Sequence, residues 1–555
     1  MNILSSRPFN LNQQQVHWVE QTLAKLSMEE KVGQLFVLPY GKEYQLDSEM
    51  VQRIKPGGFC VFGFEPEDTK ESQHGLIQRF QSESEVPLLI SGDLEIGGKG
   101  GTVDGTNLGT NMQIAAANDP QLSRAFGEAI DAEGSAMGFN WAFGPVVDIN
   151  YNFQNPIVNT RAFGDSPDVV LRNAIPVIQG IQHSGNMAAC VKHWPGDGMD
   201  DRCQHKALTV NSMSMEEWRS TFGEVYKQSF ENGVKTVMSA HIALPAYYEE
   251  LGVTDLRTKY TPGSLSYELN VKLLREELGF NGLIVSDATV MHGMQIWGKR
   301  SEIVPQCIAS GVDMFLFTRE TEYDFEAMIQ GVRNGVISEE RLNEAVTRIL
   351  ALKASLGLHQ PGITTGDNNL SVVGSAEYQQ LAIELAKKSV TLVKDTQQIL
   401  PLSPAVQKKI LLQVASEENS FFSTEGFNGA EFEEKLVREG FEVIREYELK
   451  ETDNDVDVVI HLIKKSPGFL ESTIRLGLQE MGGLMDWYPT RIPTIVISLG
   501  NPYILYEMPS VSTLINAYNA TETVQEEIVN ALIGKQPFLG ASPVDAFCGM
   551  EWAKL

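Results

Sequence analysis

Lys192 and His193 stand side by side in Lys192-His193-Trp194-Pro195-Gly196-Asp197-Gly198, and Cys203-Gln204-His205 follows shortly after. The run before them, Met187-Ala188-Ala189-Cys190-Val191, is apolar and predicts a buried strand. Charged groups just past such a strand are poor core material, because burying charge without partners is costly. They suit the wall of an active site. An imidazole exchanges protons near neutral pH, which makes a histidine here a candidate acid or base. A second candidate ends the run Gly282-Leu283-Ile284-Val285-Ser286-Asp287-Ala288. The Asp287 carboxylate has the chemistry of a nucleophile, a general base, a metal ligand or a helix N-cap.

These residues need a frame that gathers strand ends. Eight apolar runs read as strands: Val32–Leu38, Gly58–Phe62, Pro87–Gly92, Asn140–Val147, Met187–Lys192, Lys235–Ala240, Gly282–Ser286 and Asp313–Phe317. Helical patterns lie between them, among them Pro120–Met137, Ser214–Asn232 and Ser264–Leu278. Asp119-Pro120 supplies an N-cap followed by proline, and Ser214 with Glu217 a capping box. Strands alternating with helices predict a parallel sheet. Eight of them predict an α/β fold of TIM-type (β/α)8 barrel form, with a doubly wound sheet as the other arrangement.

An amphipathic helix over Ser338–Leu356 closes this part, and the breaker-rich run from His359 to Gly366 follows. The expected division is a catalytic barrel over 1–358, a linker over 359–375 and a smaller α/β sandwich domain over 376–555. Strands are expected in the last part at Ile410–Val414, Val456–Ile463 and Thr494–Leu499.

Active residues of such a barrel sit at the C-terminal strand ends. That rule selects Asp93 and Glu95 after the third strand, Asp148 and then Arg161 after the fourth, Lys192 and His193 at the fifth, His241 at the sixth and Asp287 at the seventh. Were these groups purely structural, each would need its own buried partner.

Composition narrows the partners. Of 555 residues, 42% are apolar and 21% charged, as in a soluble globular protein with material for a large core. A net charge of −28 disfavours nucleic acid and anionic membrane surfaces and leaves a small molecule as the expected partner. The five cysteines are widely spaced with no CxxC pair, so neither a zinc site nor a disulfide framework is expected. The start lacks a basic region before an apolar stretch, and no run reaches the roughly 18 apolar residues of a membrane span, so a cytoplasmic address is expected. The run Gly97-Gly98-Lys99-Gly100-Gly101 lacks the spacing of a nucleotide loop, and neither a metal nor an organic cofactor is expected.

Taken together, several segments resemble glycoside hydrolase family 3. They are PLLISGDLE over Pro87–Glu95, FGPVVDI over Phe143–Ile149, TRAFGD over Thr160–Asp165, VKHWPGDG over Val191–Gly198 and GLIVSD over Gly282–Asp287. AKKSVTLVKDTQQILPL over Ala386–Leu402 and SLGNPY over Ser498–Tyr503 extend the resemblance into the second domain. It implies a retaining exo-β-glycosidase with Asp287 as nucleophile and Asp93, Arg161, Lys192 and His193 as sugar-hydroxyl contacts. Pro195-Gly196 after Lys-His-Trp resembles the β-N-acetylglucosaminidase-like branch, in which a barrel loop supplies a histidine as acid/base. His205 falls on that position, and the resemblance then implies hydrolysis of terminal β-N-acetylglucosaminides.

Two positions depart from the branch. Cys203 stands where an aspartate orients the histidine, which makes it the position that tunes the acid/base. Lys99 stands in the glycine run where the branch carries arginine. The alternatives are a β-glucosidase-type member using a second-domain glutamate such as Glu471 or Glu480, a phosphate-using variant, and a degenerate sugar-binding homologue with weak turnover.

Overall fold

In the computed structural model, strands form at all eight expected runs of the first part. They are β1 Phe36–Tyr40, β2 Gly58–Val61, β3 Leu89–Gly92, β4 Trp141–Ala142, β5 Ala188–Trp194, β6 Thr236–Ser239, β7 Leu283–Ser286 and β8 Phe315–Leu316. The structure describes residues 3–41, 48–360, 362, 369–416, 427–445, 456–468, 473–477 and 492–555. Every neighbouring pair is parallel, in the order β8-β1-β2-β3-β4-β5-β6-β7. A parallel bridge between Val285 and Met314, with Ser286 N–H donating to Met314 O at 2.9 Å, brings β7 against the start of β8 and completes the ring. Strands buried on both faces carry unbroken apolar runs, which is why these eight stood out.

Local chemistry adjusts the expected bounds. A Ser27–Glu30 capping box starts a helix at Met28 that takes in Val32, so β1 begins only at Phe36. Pro145 has no N–H for the ladder, so β4 shrinks to two residues. Its pairing with β5 resumes as a single bridge between Val146 and Lys192. The helix expected over Ser214–Asn232 starts at its predicted capping box but divides into Met215–Ser220 and Phe222–Glu231. Thr221 Oγ1 donates to Glu217 O at 2.7 Å there, a local bond that competes with helical winding. The helix after β6 begins at Glu268 rather than Ser264, because Ser266 Oγ accepts from Leu269 N–H at its start.

The second sheet has six strands, β9 Thr391–Asp395, β10 Lys409–Ser416, β11 Glu442–Arg445, β12 Val458–Lys464, β13 Thr494–Ser498 and β14 Thr513–Asn516. Their order is β9-β14-β13-β12-β10-β11, parallel except for the antiparallel edge strand β9. Helices Ala376–Ser389, Ala430–Arg438 and Glu522–Leu532 pack Ala386, Phe432, Leu436, Val524 and Ile528 against one face, giving an α/β sandwich. By contact density the chain forms two units. One holds Met1–Asn107, Ser123–Ile149 and Val170–Tyr378; the other holds Leu108–Leu122, Asn150–Val169 and Gln379–Leu555. Residues 361 and 363–368 of the expected linker lie outside the described residues. Among the described residues no helix is long and apolar enough to cross a membrane.

Candidate active site

The C-terminal ends of β3, β5, β6 and β7 converge on a set of ionisable groups. Lys192, near the end of β5, is nearly buried. Its Nζ donates to Asp93 Oδ1 at 3.0 Å and lies 2.6 Å from Glu95 Oε1. Two carboxylates around one buried ammonium supply the partners that keep it charged. The Asp93 side chain is 41% exposed against 3% for Lys192, so Asp93 is the member of the trio that can meet a ligand hydroxyl. The glycine run packs against this turn: a Cβ on Gly100 would lie 2.1 Å from Asp93 O. Lys99 Nζ donates to Val103 O at 2.6 Å within the same loop.

His193 is fixed by Asp148, a fully buried carboxylate beyond β4. Asp148 Oδ2 lies 2.6 Å from His193 Nδ1, and Oδ1 accepts from the His193 N–H at 3.0 Å and the Asp197 N–H at 2.8 Å. The carboxylate selects the tautomer with the proton on Nδ1 and leaves Nε2 for the site.

Asp287 follows β7, and its N–H donates to Ser239 O at the end of β6 at 2.8 Å. Its Oδ1 accepts from Ala288 N–H at 2.7 Å. Burial alone would raise its pKa, but the imidazoles of His193, His241 and His205 together with the Ala288 N–H outweigh burial and hold the carboxyl below its usual value. An ionised, desolvated carboxylate is the form a nucleophile requires.

His241 sits just past β6, fully buried. Its Nε2 lies 3.0 Å from Ala288 O and its Nδ1 2.8 Å from Ser264 Oγ. Burial lowers its pKa and the Asp287 charge opposes that; with a proton on Nε2 the ring donates to Ala288 O, and Nδ1 faces the Ser264 hydroxyl. Of the two roles open to His241, pocket lining or bonding a carbonyl, the bond to Ala288 O is the one formed. One residue further, Arg300 Nη1 donates to Thr289 O at 2.8 Å and pairs with Asp324 at 2.6 Å, so the backbone after Asp287 is gripped at two successive carbonyls.

His205 is half-buried on the loop after β5, and its field reaches Asp287. Cys203 Sγ lies 3.1 Å from His205 Nδ1, so the thiol occupies the side of the ring where a carboxylate was expected. Asp200 is engaged elsewhere: it pairs with Arg202 at 2.7 Å and accepts from Val210 N–H at 2.9 Å. Asp197 Oδ1 accepts from Gly198 N–H, and Asp201 is exposed.

Residues 27–352 match the glycosyl hydrolase family 3 N-terminal domain. The chain belongs to glycoside hydrolase family 3. A beta-N-acetylglucosaminidase/beta-glucosidase of Cellulomonas fimi is 40% identical to it over 99% of both chains. The solved beta-glucoside phosphorylase BglX superposes with a TM-score of 0.92 at 36% identity, covering 99% of each chain. A family 3 beta-N-acetylglucosaminidase from Paenibacillus sp. str. FPU-7 superposes with a TM-score of 0.79 at 25% identity, covering 94% of this chain and 99% of that one.

In this family 3 chain, Asp93, Lys192, His193, His205 and Asp287 all belong to the first unit, as does Cys203. Arg161 belongs to the second, where its Nη1 donates to Ile157 O at 3.2 Å and its carbonyl accepts from Asn111 Nδ2 at 2.7 Å. Trp194 is fully buried and packs edge-on against Trp218 and Tyr226, which gives it a structural role. Met291 is buried and His292 exposed. Glu471 and Glu480 lie outside the described residues. Sequence reasoning passed over Gln204, Ser264, Arg300 and Asp324. Their roles are bonds to backbone or to a neighbour's side chain, which leave no spacing to read.

Proposed function

We propose that the chain is a retaining exo-β-glycosidase that removes terminal β-N-acetylglucosamine, and β-glucose as a second sugar, through a glycosyl-enzyme on Asp287. The buried Asp287 carboxylate, held ionised by histidines that include His205, carries this reading. The Asp287 carboxylate attacks the anomeric carbon while the bond to the leaving oxygen breaks, and His205 in its imidazolium form gives that oxygen a proton. The neutral imidazole then takes a proton from water as water attacks the anomeric carbon, and the bond from that carbon to Asp287 breaks to release the carboxylate. Asp93, Lys192 and His193 hold the sugar hydroxyls. Both sugars occur in the name of the Cellulomonas fimi relative. The bond from Lys99 to Val103 O favours tolerance of glucose, since a Lys99 ammonium engaged within its own loop is no substitute for an arginine fork. Five free cysteines support a reducing, cytoplasmic address.

A second acceptor is favoured by the His205–Cys203 pair. Neither an imidazole nor a thiol presents the fixed negative charge of a carboxylate, so an incoming phosphate meets less repulsion. The likeness to a beta-glucoside phosphorylase supports the same acceptor. Incubation with a 2-deoxy-2-fluoro glycoside and peptide mass spectrometry should find the label on Asp287; an unlabelled Asp287 overturns the covalent mechanism. A panel of aryl β-glycosides assayed with and without phosphate then reads the sugar and the acceptor, as free sugar or sugar 1-phosphate.

A further inference from the structure

The loop that bears His205 is fastened to the nucleophile's side of the barrel at several points. Lys206 and Ala207 N–H both donate to Cys203 O, at 2.9 and 3.0 Å, which folds Cys203–Ala207 into a tight turn. Gln204, at the centre of that turn, is only 2% exposed. Its side-chain Oε1 accepts from His241 N–H at 2.9 Å. Its carbonyl accepts from Gly293 N–H at 3.0 Å, and the next carbonyl, that of His205, accepts from His292 N–H at 3.1 Å. Gly293 fits this approach because it has no side chain. A Cβ there would lie 2.8 Å from His241 Cβ, 2.9 Å from Gln204 O and 3.1 Å from Ala207 O.

His241 is therefore held from both directions. Its backbone N–H binds Gln204 of the acid/base loop, and its Nε2 binds Ala288 O, next to the nucleophile. We propose that Gln204 is a positioning residue that locks the acid/base loop to His241, so that one side chain sets the placement of His205 relative to Asp287, with Gly293 as the surface on which the loop rests. The proposal rests on His205 being the acid/base. A misplacement of about 1 Å can cost about a hundredfold in rate, so a lock of this kind bears directly on proton transfer.

Leaving-group dependence separates this role from a general structural one. A phenyl leaving group needs its proton in the first step; a 2,4-dinitrophenyl group leaves without one. Gln204→Met keeps the length of the side chain and removes the acceptor. It should lower kcat/KM for the phenyl glycoside about tenfold or more and leave the dinitrophenyl value within about twofold. Gln204→Glu keeps an oxygen for His241 N–H and should restore the phenyl activity. Gly293→Ala, which presses on the loop from the other side, should reproduce the Gln204→Met pattern. Equal losses on both substrates, or no loss, overturn the positioning role. His205→Ala run in parallel tests the underlying reading. If it lacks the leaving-group pattern, the acid/base assignment fails. If it shows the pattern and Gln204→Met does not, the lock alone fails.

Discussion

A thiol at 3.1 Å from His205 Nδ1 gives the imidazolium a neighbour without a fixed charge. In the mechanism we propose, the glycosylation step needs His205 protonated, so kcat/KM falls as pH rises through the pKa of that ring. That limb reports the His205 ring in the neighbourhood of the Cys203 thiol and of the Asp287 carboxylate that its field reaches. Cys203→Asp should raise that pKa and carry the basic limb of kcat/KM upward by about one unit or more. An unchanged limb would show that position 203 does not tune the acid/base. The acidic limb behaves differently. As the proposed nucleophile Asp287 must be ionised, and because its carboxyl is held below the usual value, activity should persist to lower pH than an ordinary carboxylate would allow, in both proteins. Most residues of this candidate site stand out in the sequence because they ionise at the ends of apolar runs. Gln204 and Gly293 were not, since one buried amide bonding a backbone N–H and one glycine beneath a loop look like any other glutamine and glycine.

At the scale of elements, legibility followed burial except at β14, whose four buried residues Thr513–Asn516 are half polar and did not stand out. Barrel strands covered on both faces read as continuous apolar runs, and so did β10, β12 and β13. The edge strands β9 and β11 passed unnoticed because most of their residues are only partly buried and the sequence mixes charge with apolar side chains. The closing helix of the barrel, Glu339–Ser355, hides a different feature. Lys353 is fully buried there, with Nζ donating to Gln34 Oε1 at 2.7 Å, and burial pushes its pKa down to about 7. In the unfolded chain the same ammonium titrates near 10.4, so between about pH 7 and 10 the unfolded state binds the extra proton. Stability from this group therefore rises with pH through that window and is lowest at or below pH 7. Lys353→Met should stabilise the barrel at pH 7 by about 1–3 kcal/mol, after the cost of leaving Gln34 Oε1 without its donor. The gain should vanish or reverse by pH 10, where the wild-type lysine is already neutral. Urea unfolding at both pH values measures it, and a gain equal at both would show that Lys353 is not depressed.

The whole molecule adds charge to this picture. With 72 acidic and 44 basic side chains, the chain carries −28 at pH 7, and self-repulsion opposes compactness. Acidification relieves that repulsion as carboxylates take up protons, which favours folding. A buried histidine in the second sheet acts in the opposite direction. His461 on β12 is 4% exposed, and burial lowers its pKa to about 4. The unfolded histidine takes its proton near 6.5, so between about pH 6.5 and 4 the unfolded state binds a proton that the folded state refuses. Stability from His461 is present above that window and is lost as pH falls through it, by up to about 3 kcal/mol. Salt distinguishes the two effects, because it screens surface repulsion and leaves a buried ring almost untouched. At about 0.5 M NaCl the wild-type protein should gain stability at pH 7 yet keep a steep loss between pH 6.5 and 4.5. His461→Leu should flatten that loss at both salt concentrations, and hydrogen exchange should place the difference in β10, β12 and β13. If the variant keeps the wild-type acid slope, this buried ring is not the source of the second unit's acid sensitivity.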